Sequence, residues 1–478
     1  MGSSDLRLEK PTEGQGVAKT ARSALCGRAE DLDDLDPEVR EKVREHPCYS
    51  VEAHHHYARM HLAVAPKCNI QCNYCNRRHD CLNESRPGVT STILTPEEAV
   101  ERLAVVLSAV PQLTVAGIAG PGDPLANPEK TFRTFELIKR TFPDLKLCFS
   151  TNGLMLPDYL NEITELGIDH VTITMNAVDP SIAKDISRWV SYKGRTYHGE
   201  AGAALLLAKQ QEGLSGLVRR GILCKVNAIL MPGINNYHVP EVAKTVKKLG
   251  AFLFNLMPLI PVQGTPFERL RAPTPRERRQ LQDLLGIDVR QMRHCRQCRA
   301  DAVGLLGTDL SRRLAIQPPA QQSPDVGRRT AVLNGISLEI ERQRQIKRDL
   351  HSDDTREKRR TKLVAVASKG GGLVNQHFGH AEEFMIYEAT AERIQLLETR
   401  SVERYCFGPA GYDDASESKL ENIVRMLEDC DAVLCSRIGS EPAARLKSAG
   451  IVPFMTYDVI EKAVDQVARG TIKPAYVP

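Results

Sequence analysis

The sequence predicts an α/β protein in two folded parts, the larger built on a parallel sheet and the smaller a second α/β domain behind it. Three observations carry that prediction. Between about 61 and 300, short β-rich runs alternate with helical segments, the pattern of strands joined by crossover helices. Hydrophobic residues make up 42% of the 478 positions but aromatic residues only 5%, a balance that suits helix-covered sheets better than a β-sandwich. Beyond a charge-dense stretch, a new β-type run starts at 363.

Residues 1–35 are polar, run into EDLDDLD, and are expected to form a flexible leader. DPEVREKVREH then reads as a short helix, with Asp36 as N-cap and Pro37 in the first turn, leading to His46-Pro47-Cys48. HLAVAP, LTVAGIAG, LKLCFSTNG, HVTITMNA, LCKVNAILM and AFLFNLMPL are the strand candidates. Helical segments such as TPEEAVERLAVVLSAV and PEKTFRTFELIKRTF separate them. Six strands in this arrangement imply a parallel sheet, whose loops at the strands' carboxyl ends build the site. Residues 36–307 form this unit, 308–362 a charged linker carrying one exposed helix, and 363–478 the second domain.

Composition excludes several roles. Lys plus Arg number 64 against 60 Asp plus Glu, a balance that gives no support to a nucleic-acid partner. No run of about 18 apolar residues suggests a membrane span, and MGSSDLRLEK lacks the apolar core of a signal peptide, so a cytoplasmic protein is expected. Gly2 does not open a lipidation signal, because Leu6 stands where Ser or Thr is required. The 13 cysteines, an odd number without an export signal, point to metal binding or catalysis rather than a disulfide framework.

Cys68, Cys72 and Cys75 form C-x3-C-x2-C, which lets three thiolates on one loop face a cuboidal iron–sulfur cluster and leaves the fourth iron open. A zinc site is the alternative, although zinc motifs usually pair two cysteines with further Cys or His. Cys295 and Cys298 make a C-x-x-C pair, either a redox dithiol or two metal ligands; the missing thioredoxin-like context favours ligation. Cys26, Cys224, Cys406, Cys430 and Cys435 lie outside any ligand pattern and are expected to be ordinary core or surface residues.

On these residues the sequence resembles the radical S-adenosylmethionine superfamily, whose fold is a partial (β/α)6 barrel. The three-cysteine motif follows the first strand, with Tyr74 as the aromatic before its last cysteine. GIAGPGDPL (117–125) stands where the superfamily has its glycine-rich loop, with Asp123 in place of the commoner Glu. STNG (150–153) and TITMNA (172–177) end the third and fourth strands. The resemblance implies that Gly122 and Asp123 hold the cofactor's amino group through their backbone, and that Asn152, Thr174, Asn176 and Ile229 contact S-adenosylmethionine. Strand-end capping is the other use of these four residues.

HPCYSVEAHHHYARMHLAVAPKC, AGPGDPLANP, and MPLIP followed by C-x-x-C further resemble the family of radical maturases that build the core of the nitrogenase cofactor. That resemblance implies a [4Fe-4S] radical cluster and two further [4Fe-4S] precursor clusters, fused around a carbide from S-adenosylmethionine into an [8Fe-9S-C] product. It assigns His54, Cys81 and Cys148 to one precursor and Cys48, Cys295 and Cys298 to the other. His55 and His56 are expected to be surface or supporting histidines. Glu84 and Arg86, beside Cys81, are candidates for proton transfer, or for a salt bridge that pins the loop. Implied partners are iron–sulfur cluster donors, cofactor carrier or scaffold proteins of nitrogenase assembly, and an electron donor such as a ferredoxin.

SKGGGLVNQHFGHAEEFMIYE resembles the cofactor-binding domain of nitrogenase carrier proteins, which implies a ribonuclease-H-like fold and a role in receiving or shielding the product through His377 or His380. Two other functions compete: a radical maturase of a peptide or RNA with auxiliary clusters, and a non-catalytic iron–sulfur carrier. A carrier needs no cofactor pocket, and the glycine-rich loop with STNG argues for one.

Overall fold

In a computed structural model, residues 35–83, 88, 90, 92–286, 289–315, 324–352, 361–390, 393–406 and 415–475 are described. Most of the leader, and both Glu84 and Arg86, lie outside them. Six strands build the larger sheet: β1 (Ala58–His61), β2 (Leu113–Ile118), β3 (Lys146–Thr151), β4 (His170–Thr174), β5 (Leu223–Leu230) and β6 (Leu253–Pro258). They lie side by side in chain order and pair in parallel throughout, with Val303–Gly304 antiparallel on the outer edge of β1. This is the expected partial (β/α)6 barrel.

The helix Pro96–Ala109 shows why the crossovers form where they do. Thr95 and Glu98 make a reciprocal capping box, and Ala99, Leu103, Val106 and Leu107 turn one face to the sheet. Opposite them, Ala116, Ile118, Leu147, Phe149, Val171, Ile173, Val226 and Ala228 complete one apolar core. Because strand side chains alternate, the other set must point into the barrel. That inward set includes Cys148, Thr172, Lys225, Asn227 and Asn255. Closed α/β barrels fill this space with branched aliphatic layers; here it is polar.

Two features differ from the sequence reading. The first strand ends at His61, earlier than HLAVAP suggests, although Leu62 still donates to the Gly117 carbonyl at 2.8 Å and Ala65 to Gly120 at 3.3 Å. The chain peels off the ladder as it turns into Pro66 and the cysteine loop. A small sheet that the alternation of β-runs and helices did not suggest pairs Ile70–Cys72 with the hairpin Ser187–Tyr192 and Arg195–His198. Its turn is Lys193-Gly194, both with positive φ (48° and 79°), the backbone of a tight hairpin that matches strand twist.

The second domain is a five-stranded sheet in the order Ile394–Ser401, Glu383–Ala389, Lys362–Val366, Ala432–Cys435, Val452–Met455. The first three strands are antiparallel and the last three parallel, the expected ribonuclease-H-like arrangement. The helix Val326–Ser352 leads into it and is anchored on the barrel side: Arg329 binds Asp144 and Arg344 binds Glu52, each at 2.7 Å, and Ile340 is buried beside Ala53 and Tyr57. Glu398, fully buried, faces Arg278 and Arg279 of the barrel's last helix and Arg400 of its own strand.

Candidate cluster and cofactor sites

The loop after β1 is held by its neighbours before any metal is considered. Cys72 pairs with Ser187 of the hairpin, and Arg77 donates to the Ile70 carbonyl at 2.5 Å while its guanidinium lies 5.8 Å from the Trp189 ring. The Gln71 amide donates to the Cys75 carbonyl at 2.7 Å. Burial pushes the Cys68 thiol up to about 11 and raises Cys72 and Cys75 as well, with Arg77 the positive charge that opposes the rise. Buried thiols of this kind ionise when a metal brings the missing charge. No three His, Cys, Asp or Glu side chains among the described residues gather closely enough for a single metal ion. A cuboidal cluster, with irons at separate corners, takes ligands at a wider spacing, and three soft donors on one loop fit it better than zinc.

The glycine-rich loop packs directly on that cysteine loop. A Cβ on Gly122 would stand 2.2 Å from the Lys67 carbonyl oxygen, so only glycine allows the approach. Gly122 donates to the Ala65 carbonyl at 2.6 Å, and Asp123 N to Lys67 at 2.7 Å. The Asp123 carboxylate accepts from Leu125 N, Asn152 N and the Thr151 hydroxyl, at 2.6 to 3.0 Å, and thereby ties this loop to the end of β3. Its side chain and both of its backbone groups are engaged in structure, the carbonyl accepting from Ala126 N and the Asn127 amide.

Asn152, Thr174, Asn176 and Ile229 do meet at one rim. Asn152 donates to Asn69 at 2.7 Å and lies 3.8 Å from the Cys68 sulfur. Asn176 donates to the Tyr74 hydroxyl at 2.9 Å and accepts from Ile229 N at 2.8 Å. Tyr74 in turn donates to Asn83 at 2.6 Å. These side chains therefore lock the cysteine loop to the strand ends, the capping role that the sequence left open beside cofactor contact.

Deeper inside, the other thiols sit among cations and imidazoles. Arg59, buried on β1, donates through Nη2 to the Cys298 sulfur at 2.9 Å. Asn255 donates to the Cys295 sulfur at 3.3 Å. His294 Nε2 donates to the Pro47 carbonyl at 3.1 Å, which brings the Cys295 segment against the Cys48 segment. Lys225 is only 4% exposed, and its charge opposes the burial-driven rise of the Cys295 thiol. Cys48, Cys295 and Cys298 thus share one region.

The second predicted set is more dispersed. His54 stacks on His294 and packs at a tilt against His55, with ring centroids 4.8 and 3.8 Å apart. Its Nδ1 faces the Val51 carbonyl, which can only accept, so Nδ1 carries the proton and Nε2 keeps a bare lone pair. That Nε2 is buried without a hydrogen-bond partner, and burial with His55, His294 and Arg296 holds the ring well below the usual imidazole range. A neutral ring with an oriented lone pair is the ligand form. Cys148 lies against Gly117, and Cys81 donates its backbone N–H to Pro121 beside the radical triplet, whose thiols add to the burial that raises it.

His55 is buried rather than on the surface, and its carbonyl accepts from Gly371 of the second domain at 2.7 Å. His377 Nδ1 accepts from Gly379 N at 3.0 Å and so caps its own turn; the His380 ring lies 4.7 Å away. Cys224, Cys430 and Cys435 are core residues, as expected, and Cys26 lies outside the described residues. Sequence reasoning missed Arg59, Lys225, Asn255, His294 and Arg296. A signal existed: Lys225 and Asn227 alternate with apolar residues in LCKVNAIL, a polar stripe on a strand that burial should keep apolar.

Residues 62–246 match the radical SAM superfamily and residues 360–470 match the dinitrogenase iron-molybdenum cofactor family. The FeMo cofactor biosynthesis protein NifB of Frankia alni is 50% identical over 475 residues, covering 95% of this chain and 92% of that protein. Its counterparts in Herbaspirillum seropedicae (48%; 96% and 89% covered) and Azotobacter vinelandii (46%; 96% and 95% covered) match over similar lengths. Among the described residues no helix is long and apolar enough to cross a membrane. With both domains matched in order and nearly the whole length covered, the chain belongs to the NifB family of radical SAM proteins of FeMo cofactor biosynthesis.

Proposed function

We propose that the chain fuses two [4Fe-4S] precursor clusters around a carbon taken from S-adenosylmethionine, giving the [8Fe-9S-C] precursor of the nitrogenase cofactor. The polar interior of the half-barrel carries this reading. Thiols, neutral imidazoles and buried cations occupy the space where aliphatic layers normally sit, and no ordinary small organic substrate calls for that donor set.

Cys68, Cys72 and Cys75 would hold the radical cluster, and bound S-adenosylmethionine would supply both a methyl group and the radical that abstracts hydrogen from it. Around them, the chain orients and excludes. The Gly122–Asp123 backbone and the Asn152 side chain stand at the rim beside Cys68, and the Trp189 hairpin covers the loop. His54 offers a lone pair that binds iron more weakly than thiolate, a useful property for a cluster that must later leave. Glu84 and Arg86 are assigned proton transfer next to Cys81. Cluster donors, carrier or scaffold proteins and a ferredoxin-like electron donor are the partners this chemistry requires.

The test is iron per chain after anaerobic reconstitution, in the wild type and in a variant with Cys68, Cys72 and Cys75 all changed to Ala. The variant is expected to keep about two four-iron clusters and to lose all cofactor cleavage. Loss of all iron would make this a single-cluster enzyme and remove the precursor sites. Cys295→Ala is expected to lose about one four-iron cluster while cleavage survives.

A further inference from the structure

A chain of buried amides fixes which end of Asn255 faces the Cys295 sulfur. The Asn83 backbone carbonyl can only accept, so the Asn227 side-chain amide donates to it, at 2.7 Å. Asn227 Oδ1 is thereby turned toward Asn255 and accepts one of its N–H groups at 3.0 Å, while Asn255 Nδ2 also donates to the Cys295 sulfur at 3.3 Å. The reverse orientation of Asn255 would set two amide oxygens against each other. Asn227 and Asn255 are 0% and 1% exposed, so water does not compete for these groups.

Cations reinforce the amide. Lys225 lies on the same inward face of β5 as Asn227, and its charge acts on Cys295, His46, His61 and His294. Arg59 donates to the Cys298 sulfur. Of the acids nearby, Glu383 pairs with Arg296, and Asp309 accepts from Val303 N and Ser311 N. The radical loop is furnished differently. Arg77 is the cation acting on Cys68, Cys72 and Cys75, and the buried Asp123 carboxylate opposes it at Cys68, where the Asn152 amide stands 3.8 Å from the sulfur.

We propose that Asn255 and Lys225 are positioning residues that make a cluster on Cys295 the first to accept an electron, ahead of the cluster on Cys68, Cys72 and Cys75. The inference rests on the reading that Cys48, Cys295 and Cys298 hold a precursor. Reduction adds a negative charge to a cluster, and N–H groups and cations at its thiolates stabilise that charge, most strongly in a buried site. The step passes one electron from an external reductant to the cluster; no bond breaks and no proton moves. Before S-adenosylmethionine binds, electrons entering the protein therefore settle on the precursor, and the radical cluster stays oxidised.

An anaerobic dithionite titration followed by electron paramagnetic resonance tests this on the full chain, reconstituted with ferrous iron and sulfide. In the wild type the first signal to appear is expected to be insensitive to added S-adenosylmethionine and to survive in the variant with Cys68, Cys72 and Cys75 changed to Ala. At the wild-type midpoint of that signal, Asn255→Leu and Lys225→Met should each show a several-fold smaller reduced fraction, and Asn255→Gln, which keeps an N–H donor, a smaller change. A first signal that responds to S-adenosylmethionine would overturn the order. An unmoved midpoint in Asn255→Leu and Lys225→Met at wild-type iron content would overturn the role of both residues. Loss of that cluster's iron in Asn255→Leu would make the amide a loading residue rather than a tuning one, and the Lys225→Met midpoint would then decide alone. A triple Cys variant that holds no iron would instead overturn the precursor reading itself, before any potential is read.

Discussion

Arg59 grips Cys298 and the chain beyond it at once: Nη2 donates to the sulfur at 2.9 Å, while Nη1 donates to the Gly304 carbonyl at 2.6 Å. One guanidinium therefore fixes both the thiol proposed as a ligand and the antiparallel edge strand against β1. Arg59→Met is expected to remove the buried hydrogen bond from the guanidinium to the Gly304 carbonyl, at a stability loss of about 1–3 kcal/mol, and to lose about one four-iron cluster on reconstitution. Arg59→Lys keeps the charge but not the fork, so it should retain more iron than the Met variant. Iron analysis with a thermal melt checks both, and full iron in Arg59→Met would count against the ligand role of Cys298.

Gly122 sets the distance between the cofactor loop and the cysteine loop. Gly122→Ala places its Cβ against the Lys67 carbonyl, a backbone atom that cannot swing aside. Overpacking of this kind destabilises by about 1–3 kcal/mol, and the displaced loop should cut cofactor cleavage more than it cuts iron loading at the deeper thiols. Single-turnover release of 5′-deoxyadenosine, set beside iron content, separates the two effects; equal loss of both would mean general unfolding.

Much of this arrangement was legible in the residues. Alternating β-runs and helices gave the barrel, because each strand is short and apolar and each crossover carries its own start signal, as Thr95 and Glu98 do. The rim residues were legible because motifs at strand ends must converge in a parallel sheet. The hairpin over the cysteine loop was overlooked although Tyr192-Lys193-Gly194 carries a turn signal. The docking of Gly371 on His55 is a contact between residues more than 300 positions apart. No local pattern encodes it.

Buried histidines make the fold sensitive to acid. His170 and His294, both 0% exposed, are lowered to about 3 by burial, with nearby cationic groups such as Lys146 and Arg296 adding to the effect. Unfolded, each would bind a proton below about 6.5. The unfolded state therefore holds more protons than the folded one between about pH 6.5 and pH 3, and stability falls as pH drops through that window. Each group contributes a slope of about 1.4 kcal/mol per pH unit. Urea midpoints of the metal-free chain at pH 7.5, 6.0 and 5.0 should fall steadily below about pH 6.5, and His170→Gln should flatten the slope. A flat profile would mean these rings are protonated in the fold.

Trp189 is the one tryptophan in the sequence, and it lies on the hairpin strand paired with Ile70–Cys72. Its register partner is Gln71, between two of the three radical-cluster thiols, with Arg77 over its ring. Iron–sulfur clusters absorb broadly where tryptophan emits, so a cluster on this loop should quench its fluorescence strongly by energy transfer. The clusters proposed for Cys48, Cys295 and Cys298 would have no ligand on the strand that pairs with this hairpin, and should quench less. Titrating ferrous iron and sulfide into the wild type is therefore expected to dim Trp189 sharply as the first site fills. The variant lacking Cys68, Cys72 and Cys75 should show a smaller change at equal iron bound. Equal quenching in both proteins would place the deeper clusters as near the hairpin as the radical site, and would require the ligand assignment to be redrawn.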